Sequence, residues 1–264
     1  MLSVFKKLGG FYLEARKEEI IELIKKKKYV SIPFLEEKLH YSQSTIRRDL
    51  NYLERLHIIK RVPGGAVLVK EELIENPNEI KYETNKEEKN LIAELAIDFV
   101  EDYASIFLDA SSTSQVFAEK LKRRKNLKVF TPNLYTAKEI ESTRKNQVYL
   151  IGGLLNDEHT GGSFCNEMAA QITTDYAFFS CRGFDLNFGA SDALENEAGI
   201  KKIMKENSKK NFLLLDHTKF NSMYTFQSLT VESIDYMITD RKPNNATYAL
   251  NKYFEIIYGN DYSR

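Results

Sequence analysis

Cysteine is almost missing from this chain of 264 residues: Cys165 and Cys181 are its only two. That is too few for a disulfide framework and suits a reducing cytosol, so a cytoplasmic protein is expected. The four histidines, His40, His57, His159 and His217, stand at no ligand spacing, so neither a metal nor another cofactor is expected. No stretch approaches the ~20 apolar residues of a membrane span. Residues 1–11 carry two lysines and a brief apolar run before Gly9-Gly10 closes it, which points to a frayed tail rather than a cleavable signal. Internal repeats and low-complexity segments are missing as well. So is net charge, with 38 basic residues against 38 acidic.

Overall neutrality would argue against a nucleic-acid partner, but the distribution reverses that. Residues 1–70 hold 15 Lys/Arg against 8 Asp/Glu, leaving 23 against 30 for the remainder. The first part is therefore +7 and the rest −7, which places a basic face on one module only. Within that module Ser42-Gln43-Ser44-Thr45-Ile46-Arg47-Arg48-Asp49-Leu50 is the most informative stretch. Ser42 can cap a helix through its hydroxyl. Ile46, Leu50 and Leu53 recur at i, i+4 and i+7, one apolar face. At 100° per residue Ser44, Arg48, Asn51 and Arg55 fall opposite, with Thr45 and Arg47 flanking. Hydroxyls, an amide and guanidinium forks suit phosphate oxygens and base edges.

The surroundings support a DNA reader. Residues 16–28 read as a helix with Ile20, Ile21, Leu23 and Ile24 inward. Ser31 or Ile32 caps a second helix, with Pro33 in its first turn, where a missing amide costs nothing, and Phe34, Leu35 and Leu39 buried. His40 and Tyr41 then lead into Ser42. Two short helices joined tightly, the second bearing the arginines, make a helix-turn-helix over about residues 31–50. The β-branched runs on either side of Pro63-Gly64-Gly65 read as a hairpin wing, with Lys60 and Arg61 near the DNA backbone. The expected DNA-contacting residues are Ser42, Gln43, Ser44, Thr45, Arg47, Arg48, Asn51, Lys60 and Arg61.

Residues 71–85, polar and marked by Asn76-Pro77-Asn78, read as a linker between a head at 1–70 and a second domain at 86–264. There a helix is expected over 86–102. Strands follow at 104–108, 127–131, 148–151, 176–180, 211–215 and 236–239, with helices at 115–122, 134–142, 164–171 and 197–208 between them. Such alternation implies an α/β sheet, mostly parallel and covered on both faces. Ligands on such sheets bind beyond the carboxyl ends of the strands. Those ends carry Asp109-Ala110-Ser111-Ser112-Thr113-Ser114, a turn able to cradle an anion, then Thr131-Pro132-Asn133, Gly152-Gly153, Cys181-Arg182-Gly183-Phe184-Asp185 and Asp216-His217-Thr218-Lys219. Glu197 and Lys201 stand at i and i+4, a spacing that also suits a plain surface ion pair.

These residues resemble a known family. Arg16, Ile20 and Ile24, the Ser42–Leu50 string with Thr45-Ile46-Arg47-Arg48-Asp49-Leu50, and the Arg-Val-x-Gly-Gly-Ala of 61–66 are similar to the DeoR family of bacterial transcription regulators. So are Asp109 to Thr113, Gly152-Gly153, Gly183 with Asp185, Glu197-Ala198 with Lys201 and Met204, and Asp216 with Lys219-Phe220. Pro63 stands where the family usually has histidine. Ser111 stands where it often has glycine, and Pro132 where it usually has asparagine, leaving Asn133 or a different ligand to compensate. The resemblance implies a winged helix-turn-helix head, a mostly parallel α/β effector domain similar to ribose-5-phosphate isomerase, and a homo-oligomer, dimer or tetramer. It implies further that Ser111, Ser112 and Thr113 hold the phosphate of a phosphorylated sugar. Asp185, Glu197, Lys201 and Lys219 would line the sugar end, with Asp109, Thr131, Asn133, Gly152 and Gly153 completing the effector set.

The leading expectation is thus a transcription regulator, a repressor of a sugar-utilisation operon, partnered by operator DNA and a phosphorylated sugar, with no catalytic residue. The alternative is a sugar-phosphate isomerase with an accessory basic domain, in which Glu197 or Asp185 abstracts a proton and Lys201 steadies the enediolate. A third is a ligand-blind DNA-binder.

Overall fold

The computed structural model describes residues 15–27, 29–55, 58–68, 78–156, 158–244 and 248–259. The chain divides into two units between Thr84 and Asn85. The first holds α1 (Ala15–Lys27), β1 (Tyr29–Ser31), α2 (Ile32–Leu39), α3 (Gln43–Arg55), β2 (Ile59–Val62), β3 (Gly65–Leu68) and α4 (Asn78–Glu83). Residues 69–77, most of the expected linker, lie outside the described ones, and 78–83 is a short helix where a linker was expected.

Local chemistry sets these elements. Ser31 accepts the Phe34 amide at 3.3 Å and starts α2, with Pro33 in the first turn. His40, at φ 56°, ends that helix and gives its N–H to Glu36 O. Ser42 Oγ then accepts the Thr45 amide at 3.4 Å and starts α3. Ile46, Leu50 and Leu53 are wholly buried, as their spacing requires, against Ile20, Ile24, Val30, Leu35, Ile59 and Ala66. The wing is the β2–β3 hairpin, turned at Pro63-Gly64 with Gly64 at φ +79°, where glycine bears no steric cost. One strand was not foreseen: β1 pairs antiparallel with β3, and at three residues it shows no periodicity.

The second unit runs α5 (Lys86–Ile97), β4 (Ser105–Leu108), α6 (Ser112–Leu121), β5 (Lys128–Thr131), α7 (Leu134–Glu141), β6 (Gln147–Leu150), β7 (Leu154–Asn156), β8 (His159–Gly161), α8 (Ser163–Ala169), β9 (Thr174–Phe179), β10 (Gly183–Asp185), β11 (Gly189–Asp192), α9 (Glu195–Glu206), β12 (Ser208–Leu215), β13 (Phe226–Leu229), β14 (Tyr236–Thr239) and β15 (Glu255–Tyr258). Seven strands in the order β15-β14-β12-β9-β4-β5-β6 form one sheet in which every pairing is parallel. Adjacent residues of β9 face opposite layers. Phe178 meets Phe117 of α6 at 4.7 Å, while Phe179 meets Phe107 at 5.7 Å on the side that α8 and α9 cover. A ladder of Phe178, Phe212 and Tyr236, stacked at 4.6 and 4.7 Å, runs across three strands.

Several expected boundaries move. The helix begun at Lys86 ends at Ile97, not 102, as Phe99 turns down onto Phe212 and Tyr236 and Tyr103 takes φ 70°. The next begins at Ser112, not 115, because Ser111 caps it. The helix expected over 197–208 begins at Glu195 and ends at Glu206, where β12 takes up the chain. A small sheet of β10, β11 and β13, the β7–β8 hairpin and β15 were not foreseen.

Candidate nucleic-acid interface and ligand crevice

Within the head, α3 is divided cleanly. Its apolar side is buried, while Gln43, Ser44, Arg47, Arg48 and Asn51 are exposed and Thr45 is half-buried. Ser42 Oγ lies 2.9 Å from Ser44 Oγ and 3.1 Å from Thr45 Oγ1, gathering three hydroxyls at the helix start. Gln43 Nε2 donates to Glu36 at 2.7 Å and so ties α3 to α2. Among the described residues, Arg47 and Arg48 hold no protein partner. The third member of Arg47-Arg48-Asp49 turns inward. Asp49 is 1% exposed and takes a two-point grip from Arg16 Nε and Nη2, with Lys17 Nζ at 3.7 Å. Arg16 also lies over the Tyr41 ring at 4.6 Å. An acid that would repel phosphate is thereby neutralised inside the domain.

The wing is joined to the same helix. Arg61 Nη1 donates to Asn51 Oδ1 at 2.5 Å, and the Arg61 amide donates to Glu54 at 2.8 Å. Arg61 and Asn51 therefore act on one another, whereas Lys60 is exposed.

In the second unit the chain leaves β4 for β5 and β6 on one side, then returns through β9 to β12, β14 and β15 on the other. The crevice at the carboxyl ends of β4 and β9 is the topological switch point, where open parallel sheets bind ligands. Asp109, wholly buried, organises it. Its Oδ1 accepts the Ser111 amide (3.0 Å), Ser111 Oγ (2.5 Å) and Ser114 Oγ (2.6 Å), and its Oδ2 accepts the Ser180 amide at 2.7 Å. The loop from β4 into α6 is thus fixed to β9. Ser111 Oγ also accepts the Ser114 amide at 3.1 Å and caps α6, whose first turn holds the buried Ser112 and Thr113. The arrangement presents a helix amino terminus, positive by its dipole, at the crevice.

Lys201 enters from α9. Its Nζ donates to Ser180 O at 2.7 Å and Asp192 Oδ2 at 2.9 Å and lies 3.5 Å from Asp109 Oδ2. Burial favours its neutral form, but Asp192 and Asp109, with Glu197 behind them, outweigh that and hold its pKa above the ordinary lysine value. Glu197 is half-buried one turn earlier on α9. Beside this cluster, burial first and then Asp192 push the Cys181 thiol up to about 12, so it is neutral at pH 7.

The structure gathers Asp109, Ser111, Ser112, Thr113 and Lys201, and it places Thr131 and Asn133 on the neighbouring strand end. Asn133 caps α7 by accepting the Thr136 amide at 2.8 Å and gives Nδ2 to Ala110 O at 3.4 Å. Lys219 is half-buried in the short 3-10 turn after β12. Asp185 is engaged elsewhere: its carboxylate accepts the Asn187 and Phe188 amides at 2.8 and 3.0 Å in the β10–β11 turn. Gly152 and Gly153 are exposed past the sheet edge, at the β7–β8 hairpin.

Asp192 was not among the expected residues, while Arg182 and Asp216 stood in the expected strand-end segments with no ligand role assigned. Asp192 answers Lys201 from the end of β11. Arg182, at the end of β9, is half-buried with its guanidinium 5.0 Å over the Tyr224 ring. Asp216, 1% exposed, binds Thr218 N and Asn85 Nδ2 through Oδ1, while its buried Oδ2 has no hydrogen-bond partner. Among the described residues no cluster of His, Cys, Asp or Glu could hold a metal, and no helix is long and apolar enough to cross a membrane.

Comparison with known proteins fits both units. The profile of the DeoR-like helix-turn-helix domain matches residues 16–72, and that of the DeoR C terminal sensor domain matches residues 84–241. The chain is 38% identical over 236 residues to the HTH-type transcriptional regulator GolR of Listeria innocua, covering 88% of this chain and 92% of that protein. It is 31% identical to the glycerol-3-phosphate regulon repressor of Escherichia coli, covering 86% and 91%. Among solved structures, a D-ribose-5-phosphate isomerase in complex with phospho-erythronic acid aligns at 18% identity and a TM-score of 0.39, over 51% of this chain and 54% of that one.

Proposed function

The chain belongs to the DeoR family of DNA-binding transcription regulators and is not an enzyme, and on that premise we propose that it is a cytoplasmic repressor of a sugar-utilisation operon, released from its operator by a phosphorylated sugar. One observation carries the DNA half of this reading: α3 buries one face completely and exposes on the other two guanidinium groups with no protein partner among the described residues. Arg47 and Arg48 supply forked donors for guanine edges or phosphates, with Gln43, Ser44 and Thr45 beside them. Lys60 meets the sugar-phosphate backbone, and Arg61 fixes Asn51 in place. The protein acts as a homo-oligomer, so that two heads share one operator and their binding adds through effective concentration.

The crevice between β4 and β9 receives the effector. Its anion end is the first turn of α6, and Arg182 after β9, Glu197 on α9 and Lys219 after β12 are half-buried ionisable groups that serve it. Asp109 and Lys201 act as positioning residues, because their polar atoms are directed at one another, at Asp192 and at the backbone. The name of the Escherichia coli relative, a glycerol-3-phosphate regulon repressor, supports a phosphorylated polyol or sugar as the ligand class.

The test of the head is fluorescence anisotropy on the DNA upstream of the protein's own gene at several salt concentrations. Replacing Arg47 and Arg48 by alanine should leave thermal unfolding unchanged. It should weaken operator binding by ~1–3 kcal/mol for each arginine that reads a base, or flatten the salt dependence where the arginine meets phosphate. A double variant with native affinity and native salt slope would refute the assignment.

A further inference from the structure

The β6 edge of the seven-stranded sheet, the β7–β8 hairpin and α8 share an apolar surface that neither the crevice nor the DNA face uses. Leu154 is 74% exposed, Leu155 59%, Phe164 77%, Tyr149 43%, Met168 41% and Leu150 39%. Tyr149, stacked on Phe130 at 4.7 Å, faces the layer of α8, while Leu150 faces the other; the segments on the α8 side are bonded together. The Gly152 amide donates to Met168 Sδ at 3.3 Å, Thr160 Oγ1 donates to the Ile151 carbonyl at 2.5 Å, and the Thr160 amide donates to the Pro132 carbonyl at 2.8 Å. On α8 the burial is inverted: Cys165 and Ala169 lie inside at 0% exposure, while Phe164 and Met168, at i and i+4, are presented to solvent. Among the described residues β6 pairs only with β5, so its outer edge carries unpaired ladder groups.

We propose that this surface is the contact between two copies of the chain, related by a twofold axis at the β6 edge. The assignment rests on the homo-oligomer of the preceding reading and gives it a place. Two features favour an identical copy over another partner. The first is self-complementarity: an edge strand pairs antiparallel with its own copy across a twofold, completing both ladders and laying the two apolar patches against each other. The second is size. At about 200 Å² for each large side chain, these residues other than Leu150 expose roughly 600 Å² of apolar surface, at the top of what monomers leave open. That is near the apolar share, about 65%, of the ~800 Å² that each partner of a standard homodimer interface buries.

The test is sedimentation velocity on the full chain across nanomolar to micromolar concentration, with Leu154→Glu and Phe164→Glu beside the native protein. Both side chains are largely exposed, so the variants should keep native circular dichroism and thermal unfolding per protomer while dimer dissociation rises by about 30-fold or more, the scale of interface hot spots. A Leu155→Cys variant treated with a short bis-maleimide should give a crosslinked pair, since Cys165 and Cys181 are both buried. A native chain that is monomeric throughout would overturn both the assignment and the homo-oligomer reading. A native chain that self-associates while both Glu variants associate equally well would overturn the assignment alone and place the contact elsewhere.

Discussion

Lys201 holds Ser180 O, Asp192 and Asp109 at once, and it is itself 4% exposed. Its first contribution is therefore to the fold. Lys201→Ala strands two buried carboxylates, and loss of one partner from such a group costs about 3–5 kcal/mol. Urea denaturation should show that loss as a lower midpoint, and Lys201→Met should not rescue it. A Lys201→Ala protein of native stability would show that the ammonium is free to serve a ligand instead. The family resemblance implied Lys201, Asp109 and Asp185 as ligand groups, with Asp109 and Asp185 beyond expected strand ends and Lys201 on the helix between strands. What it could not display is which oxygens and protons are already satisfied inside the protein. Asp49 illustrates the same limit: it stands in a basic string, but its partner Arg16 is 33 residues away and only tertiary packing brings them together.

At the level of elements, β4 and β9 are joined at both ends. Asp109 bridges their carboxyl ends at the crevice. At the opposite end Asp175 accepts the Ser105 amide at 2.9 Å and Ser105 Oγ at 2.6 Å, and takes Lys209 at 2.8 Å. Lys209 first, then the Ser105 bonds, hold the Asp175 carboxyl down to about 2 against an ordinary 3.8. A depressed carboxylate stabilises the fold above its unfolded pKa, and that contribution fades as pH falls from about 4 towards 2. The difference in stability between the native protein and Asp175→Asn should accordingly be constant near neutrality and shrink through that window, as read by urea midpoints at each pH. A difference that persists unchanged at pH 2 would contradict the staple. The long elements were legible because their periods are long enough to see: α3 in its 3.6 repeat, and the central strands in short apolar runs. The β10-β11-β13 sheet was not, since Gly183–Asp185, Gly189–Asp192 and Phe226–Leu229 contain no run of apolar residues. Gly189 at φ +81° also stands where a Cβ would come within 2.2 Å of the Leu229 carbonyl, a constraint set by a residue 40 positions away.

For the whole molecule, the basic charge visible in the sequence lies in residues 1–70, which hold the outward guanidinium groups of α3, while the second unit holds a sheet whose switch point is closed round buried charge. The proposed repressor needs DNA binding and effector binding to be coupled, and coupling between two ligands is a free energy, typically 1–3 kcal/mol, or 5- to 150-fold in affinity. The measurement that addresses this most directly is operator affinity of the full chain with and without sugar phosphates chosen for raising its thermal unfolding temperature, each set against its unphosphorylated counterpart. A phosphorylated sugar should weaken operator binding by a factor in that range, and the free sugar should leave it unchanged. An operator affinity indifferent to every phosphorylated sugar that stabilises the protein, or shifted equally by the free sugar, would contradict the proposed coupling.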